Sequence, residues 1–220
     1  KILPAGTYTF DADSWTIPSG ELNATAAIKI DLNKIEELGS LYDDYVLPLR
    51  ITSSTGEPMG QNKYTKVLAH IGFKNDYSGT YSGKGIITQQ GTTYTTEITS
   101  TQLYAINNNI CYMFVGEKTR ANTPDYLNYV VEIKRDEWGG ITLSSEVGSL
   151  EFKSYNSKLS RKYTYNYNDQ RYYTEITTVE LAYEYLDKTQ SEDLRMTFEG
   201  SFSMSRDVLR VEYPNVDVEE

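Results

Sequence analysis

Residues 194–204, LRMTFEGSFSM, alternate apolar and polar side chains more regularly than any other stretch of the sequence. The apolar positions are Leu194, Met196, Phe198, Phe202 and Met204. Successive side chains of a β-strand point to opposite faces, so this pattern predicts a strand with one buried and one solvent-facing side. The stretch therefore favours β structure in the C-terminal part of the chain.

The same period of two recurs upstream of this strand. Residues 127–133 and 179–185 alternate in this way, and turn-forming residues occupy 136–140 and 168–170. Over residues 75–220 the pattern predicts about eight antiparallel strands joined by hairpins. A meander of that length favours a closed or nearly closed β-barrel, because closure removes exposed strand edges.

The first 74 residues have a different pattern, in which the predicted strands are shorter and are separated by polar loops. Alternating apolar positions predict strands at residues 24–32, 45–51 and 67–73, the first of them with a buried face. Their spacing is typical of a sandwich, and no pattern of alternating strands and helices occurs. We therefore predict an all-β protein with two domains, residues 1–74 and 75–220.

The composition argues against several kinds of partner. Of 220 residues, 20 are tyrosines, which suit a half-buried pleated surface. The formal net charge is -10, which argues against nucleic acid because neutralising phosphates needs clustered Lys and Arg. No stretch approaches the ~18 apolar residues of a membrane-spanning helix. We predict no nucleic-acid partner and no membrane span.

The residues that most often carry catalysis are scarce. His70 and Cys111 are the only histidine and cysteine, so a zinc site or a nucleophile–histidine pair is not supported, and Cys111 is predicted to be a buried core residue. A glycosidase needs two carboxylates across the scissile bond. Glu180 and Glu184 fall on the polar phase of their strand, whereas Glu175 falls in phase with the apolar set. We predict no catalytic residue, no metal and no cofactor.

Aromatic residues beside two predicted turns are the only enriched feature. A flat ring with a polar edge can stack on the apolar face of a sugar, while nearby amide, carboxylate and guanidinium groups bind its hydroxyls. The candidate ligand-binding residues are Trp138, Tyr163, Tyr165, Tyr167, Asn168, Asp169, Arg171 and Tyr172. The alternative interpretation is a cross-strand aromatic ladder inside a barrel, with no ligand involved.

Three segments resemble a known family. They are residues 14–20 (SWTIPSG), 41–51 (LYDDYVLPLRI) and 74–81 (KNDYSGTY). The first is similar to a turn of the family's N-terminal domain, the second to a strand of that domain, and the third to the entry into its second domain. The family consists of two-domain surface lipoproteins of gut Bacteroidota that are associated with starch-utilisation-type glycan uptake systems.

The resemblance implies a fold and a location. The expected fold is a partial immunoglobulin-like β-sandwich over residues 1–74, followed by a lipocalin-like antiparallel β-barrel over 75–220. The family's first domain begins with a lipidated cysteine and further strands. The sandwich is therefore expected to be N-terminally incomplete here, and the lipid anchor to be absent from this chain. The implied location is the cell outer membrane surface.

The function predicted from the sequence is that of a non-catalytic surface lipoprotein. Its expected ligand is an oligosaccharide or polysaccharide, and its expected partner is an outer-membrane transporter complex. One alternative is a protein-binding assembly or adhesion module of the outer membrane, in which the exposed aromatics form an interface core. The other is a glycoside hydrolase, which would release product from a polysaccharide.

Overall fold

The chain is all-β, as predicted, and it forms two compact units, Lys1–Gly72 and Phe73–Glu220. The computed structural model describes residues 1–37, 42, 45–55, 61, 65–136, 139–189 and 191–219. The predicted domain boundaries, 1–74 and 75–220, stay predictions. None of the described helices is long and apolar enough to cross a bilayer.

The first unit contains two strand pairs and a short helix. Antiparallel β1 (Tyr8–Phe10) and β2 (Ile28–Ile30) form one pair, antiparallel β3 (Tyr45–Arg50) and β4 (Lys66–Ile71) form the other, and α1 spans Leu32–Glu37. The strand predicted over residues 24–32 is wrong in its extent. Ala24 and Ala26 are exposed and precede the strand, because alanine side chains bury too little apolar surface to hold a strand face against a core.

The second unit contains one large sheet. Its strands are β5 (Gly79–Gln89), β6 (Thr95–Ala105), β7 (Ile110–Phe114), β8 (Val130–Arg135), β9 (Ile141–Ser144), β10 (Lys153–Ser154), β11 (Lys158–Tyr165), β12 (Tyr172–Asp187), β13 (Leu194–Leu209) and β14 (Val218–Glu219). Their order is β14-β11-β12-β13-β5-β6-β7-β8-β9, and β10 pairs with β12. All pairings are antiparallel except that of β11 with β14. Single helical turns at Tyr126–Tyr129, Gly148–Leu150 and Arg210–Glu212 lie in the connections.

The large sheet curls around a single core. Buried side chains from β5 to β9 and from β12 and β13 belong to one apolar cluster, which includes Tyr81, Met113, Val131, Tyr183 and Phe202. β10 pairs with β12 and lies beside β9, so the β9 edge of the sheet approaches β10 on the far side of the strand order. Among the described strands, however, β9 pairs only with β8. The sheet is thus open, and the predicted closed barrel is not found.

Two glycines, which have no Cβ atom, leave room for core aromatic rings where β5 and β13 pair. Gly85 and Gly200 face each other in register, and the rings of Phe198 and Phe202 pack nearly parallel, with centroids 6.2 Å apart. A Cβ atom at Gly85 would lie 2.6 Å from Phe198 Cζ and 2.8 Å from Phe202 Cζ. No larger residue fits at this position without moving both rings.

We therefore expect Gly85→Ala to lower the free energy of unfolding by about 1–3 kcal/mol, because the added methyl group overpacks the core. Urea denaturation followed by tyrosine fluorescence measures this. Gly148→Ala is the control, since a Cβ there meets no atom within 4 Å, and its effect should stay within about 0.5 kcal/mol. Equal midpoints for the two variants would contradict the packing argument.

Candidate functional site

The connections of the large sheet gather at two opposite ends, because its neighbouring strands are antiparallel. The β6–β7, β8–β9 and β11–β12 connections share one end, which we call the hairpin end. The β5–β6, β7–β8 and β12–β13 connections share the other, which we call the far end. The candidate residues predicted from the sequence are described by their positions relative to these two ends.

The β11–β12 hairpin brings most of the predicted residues together. Tyr163 and Tyr165 lie on β11, Tyr172 begins β12, and Tyr167, Asn168, Asp169 and Arg171 form the connection between the strands. The remaining candidate, Trp138, lies outside the described residues. Their role in binding a ligand stays a prediction.

Side-chain hydrogen bonds fix the hairpin turn. Asn166 Oδ1 accepts the backbone N–H groups of Asn168 at 3.0 Å and Asp169 at 3.1 Å. Arg171 donates to Asp169 through Nε at 3.0 Å and Nη2 at 2.6 Å. These bonds from Arg171 lower the pKa of Asp169 to about 2, so the carboxylate stays ionised at neutral pH. The turn therefore presents one defined arrangement of donors and acceptors.

The tyrosines of this hairpin fall into two groups. Tyr165 packs on Tyr173 at 6.0 Å, and the guanidinium of Arg210 lies 5.1 Å and 4.7 Å from their ring centroids. Tyr163 packs on Tyr213 at 5.8 Å. Tyr167, by contrast, is 85% exposed at the tip of the turn. Tyr163 and Tyr165 thus make ring contacts of the ladder type, with Tyr165 still 41% exposed, whereas Tyr167 presents its ring to solvent.

The interior beneath this hairpin contains a buried carboxylate. Glu175 has 0% exposure on β12, in register with Tyr163 of β11 and Arg206 of β13. Its Oε1 accepts from Arg206 Nε at 3.1 Å and lies 3.6 Å from Arg161 Nε. Thr177 Oγ1 donates to the same oxygen at 3.3 Å. A buried carboxylate is strongly destabilising unless it is paired, so the two arginines explain why the strand tolerates it.

Further charged groups surround Glu175 and its two arginines. On the solvent side, the carboxylate of Asp76 lies 3.4 Å from Arg206 Nη2 and 3.7 Å from Arg161 Nη1. Burial alone would lower the pKa of both guanidiniums. The nearby carboxylates of Glu175 and Asp76 have the larger opposite effect, so the pKa of each guanidinium is raised. The guanidiniums of Arg135 and Arg161 lie 4.7 Å and 4.8 Å from the ring centroid of Tyr77. We call Asp76, Tyr77, Arg135, Arg161, Glu175 and Arg206 the arginine cluster.

Sequence reasoning detected only one member of the arginine cluster. Glu175 stood out because it falls in phase with the apolar side chains of its strand, and its burial confirms that phase. The same alternation places Arg161 in phase with Leu159 on β11 and Arg206 in phase with Met204 on β13. Applying the period of two to the charged residues of those strands would have found both arginines.

Outside the arginine cluster, three features of the described residues bear on reactivity: Cys111, the acidic side chains and a cleft at the far end. Burial raises the pKa of Cys111 to about 11, so its thiol is protonated at neutral pH, and the prediction that it is buried is confirmed. Within the described ranges, no three His, Cys, Asp or Glu side chains lie close enough together to hold a metal ion. At the far end, a cleft of about 290 Å³ is lined by Asn128, Tyr129 and Lys188 among others. Tyr129, the aromatic side chain among the described residues that line this cleft, is buried.

Comparison with known proteins places the chain in a family. A family model described as a C-terminal domain matches residues 65–203, and one described as an N-terminal domain matches residues 1–58. The chain belongs to this two-domain family of Bacteroidota. No curated protein matches the chain.

Several solved structures of Bacteroides proteins have a similar fold. A multidomain protein of Bacteroides ovatus that includes DUF1735 has a TM-score of 0.80 at 17% identity, covering 99% of this chain and 75% of that one. A protein of unknown function from the same species has a TM-score of 0.79 at 20% identity, covering 94% and 71%. An auxiliary nutrient binding protein of Bacteroides thetaiotaomicron VPI-5482 has a TM-score of 0.68 at 17% identity, covering 84% and 63%.

The buried position of Glu175 leads to a stability prediction. Replacing Glu175 by Gln should lower the free energy of unfolding by about 3–5 kcal/mol, because Arg161 and Arg206 lose the charge that compensates their burial. Chemical denaturation measures the loss. Glu180→Gln, on the same strand, is the matched control, because Glu180 pairs with Lys158 at the surface and should contribute less than about 1 kcal/mol. A Glu175→Gln variant as stable as the control would show that the ion pairs at Glu175 do not stabilise the fold.

Proposed function

We propose that this protein binds oligosaccharide at the hairpin end of its second unit and is not an enzyme. The observation that carries the proposal is the exposed ring of Tyr167 beside the fixed Asp169–Arg171 pair. The ring offers a flat apolar surface to one face of a sugar. Asn168, Asp169 and Arg171 offer an amide, a carboxylate and a guanidinium to its hydroxyls.

The rigidity of the turn favours binding. Association is opposed by the ordering of side chains, and a group that is already held in place loses less freedom. Asn166 and Arg171 hold the turn before any ligand arrives, through the hydrogen bonds at Asn168 and Asp169. The binding free energy is therefore less reduced by ordering than it would be on a mobile loop.

The fold comparison supports a role in nutrient acquisition. The similar structure from Bacteroides thetaiotaomicron is described as an auxiliary nutrient binding protein, and a glycan is one class of nutrient. Within this proposal the first unit is the partial immunoglobulin-like sandwich, and the second is a lipocalin-like sheet that curls without closing into a barrel. The protein would be held at the outer membrane surface by a lipid anchor and would pass oligosaccharide to a transporter complex.

Glu175 is the carboxylate that stands out in the hairpin-end interior, and its contacts favour a structural role over a catalytic one. Its Oε1 is already engaged by Arg206, Arg161 and Thr177. A general acid or base must reach the proton it transfers. A carboxylate enclosed by two guanidiniums and with no exposed surface is poorly placed for that role, which is why the proposal is for binding alone.

Native gels cast with a panel of plant, host and microbial polysaccharides test the proposal. We expect slowed migration with at least one class, and Tyr167→Ala should weaken that retention by about 1–2 kcal/mol, or roughly five- to thirtyfold in dissociation constant. Tyr94→Ala is the matched control, because Tyr94 is 61% exposed but lies in the β5–β6 connection at the far end.

Two results would count against the proposal. Retention that is unchanged in Tyr167→Ala would remove the hairpin from the binding site. Unretarded migration with every polysaccharide would reject glycan binding as such. In that case, capture of outer-membrane proteins by the intact chain, lost in Tyr167→Ala and kept in Tyr94→Ala, would favour the protein-binding alternative.

A further inference from the structure

The arginine cluster concentrates positive charge in an acidic protein. Besides Tyr77, it contains three arginines and two carboxylates, in a chain whose formal net charge is -10. We propose that the cluster binds the carboxylate of an acidic sugar, so that the ligand of this protein is a glycan containing uronic acid or another carboxylated sugar. This inference rests on the proposed function and names the ligand class for the same end of the sheet.

Charge pairing within the cluster is unequal. Arg206 has Glu175 at 3.0 Å and Asp76 at 3.4 Å, and Arg161 shares the same two carboxylates at 3.6 Å and 3.7 Å. Two negative charges are thus taken up by two arginines. Arg135 contacts the Tyr77 ring, and within residues 65–136, 139–189 and 191–219 its buried Nε meets no hydrogen-bond acceptor. Counted over the described residues, the cluster has one positive charge in excess, and a carboxylate would neutralise it.

The Tyr77 hydroxyl points to the same ligand. Tyr77 is only 4% exposed, and its hydroxyl has no hydrogen-bond partner in the described part of the chain. Buried polar groups are nearly always paired, because leaving one unpaired costs about 1–3 kcal/mol. The guanidiniums of Arg135 and Arg161 lie over the ring of this same side chain. A carboxylate has two oxygens and accepts several hydrogen bonds at once, so it suits this group of donors.

One face of β11 links the cluster to the hairpin. Arg161, Tyr163 and Tyr165 occupy alternate positions of that strand and therefore share one face. From Arg161 to Tyr165 the strand rises about 13 Å, and Tyr167 lies beyond it at the turn. An oligosaccharide of a few units can place one sugar on Tyr167 and a carboxylated sugar nearer Arg135 and Arg161. The sugar carboxylate and the guanidinium of Arg135 would then form a buried ion pair. A neutral sugar cannot form this pair, so the site would distinguish acidic from neutral sugars.

The test compares polymers that differ only in charge. Polygalacturonate, alginate and glucuronoxylan are each compared with their methyl-esterified or carboxyl-reduced forms, by native affinity gels and by calorimetry on the intact chain. We expect the charged form of at least one polymer to bind about tenfold more tightly than its neutral form, because a hydrogen bond to a charged group is stronger than one to a neutral group.

Two substitutions locate the preference. Tyr77→Phe keeps the ring and removes the hydroxyl, so it should reduce the preference several-fold while leaving the fold as stable or more stable. Arg135→Gln should abolish the preference. Arg50→Gln, an exposed arginine of the first unit, is the charge-matched control and should leave it unchanged.

The outcomes separate the two proposals. Equal binding of charged and neutral forms, or retention by neutral glycans alone, would overturn the inference and leave the proposed function standing. A charge preference that survives in both Tyr77→Phe and Arg135→Gln would overturn the assignment to the arginine cluster. Failure to bind any polysaccharide would reject the proposed function itself.

Discussion

The pairing of Glu175 with Arg206 and Arg161 determines how the second unit is built. These residues come from three neighbouring strands, β12, β13 and β11, and they meet on the inner face of the sheet. A carboxylate at this depth requires compensation in place, and the observed register of the three strands brings both guanidiniums to it. The register of a β-sheet is otherwise set mainly by apolar alternation, which can slip by two residues without exposing the core. The ion pairs thus add positional specificity to a sheet whose core provides most of the stability.

This interaction also divides the interior along the strand direction. On β12 the inward positions change from Glu175 and Thr177 near the hairpin end to Val179, Leu181 and Tyr183 towards the far end. The apolar half is filled by aromatic packing, such as that of Tyr183 on Phe198 at 4.8 Å. The polar half holds the arginine cluster. Along the described part of β12, the interior of the second unit is therefore charged near the hairpin end and apolar towards the far end.

Alternation along single strands could be predicted from the sequence, whereas contacts between strands could not. The period of two located β13 and the inward phase of Glu175, and turn-forming residues located the turn at 168–170, because each depends on neighbours in sequence. It failed at residues 24–32, where alternation without sufficient side-chain volume did not form a buried strand. Whether the sheet closes, and whether Arg135 lies near Arg161, depend on pairings between strands that are distant in sequence. The alternation of apolar residues along each strand determines neither of them.

The pairing of β13 with β5 has a consequence for synthesis. β5 is the first strand of the second unit and β13 the last long one, yet they are neighbours near the middle of the sheet. More than a hundred residues must be synthesised after β5 before its partner β13 exists. Until then, the β5 edge of the meander from β5 to β9 remains unpaired. Contacts of such large sequence separation form slowly, and unpaired edges promote association with other chains. A chain released before residue 196 would lack the β13 residues that pair with β5 and join the two halves of the core. Truncation near the C-terminus should therefore be more damaging than the small number of residues removed suggests.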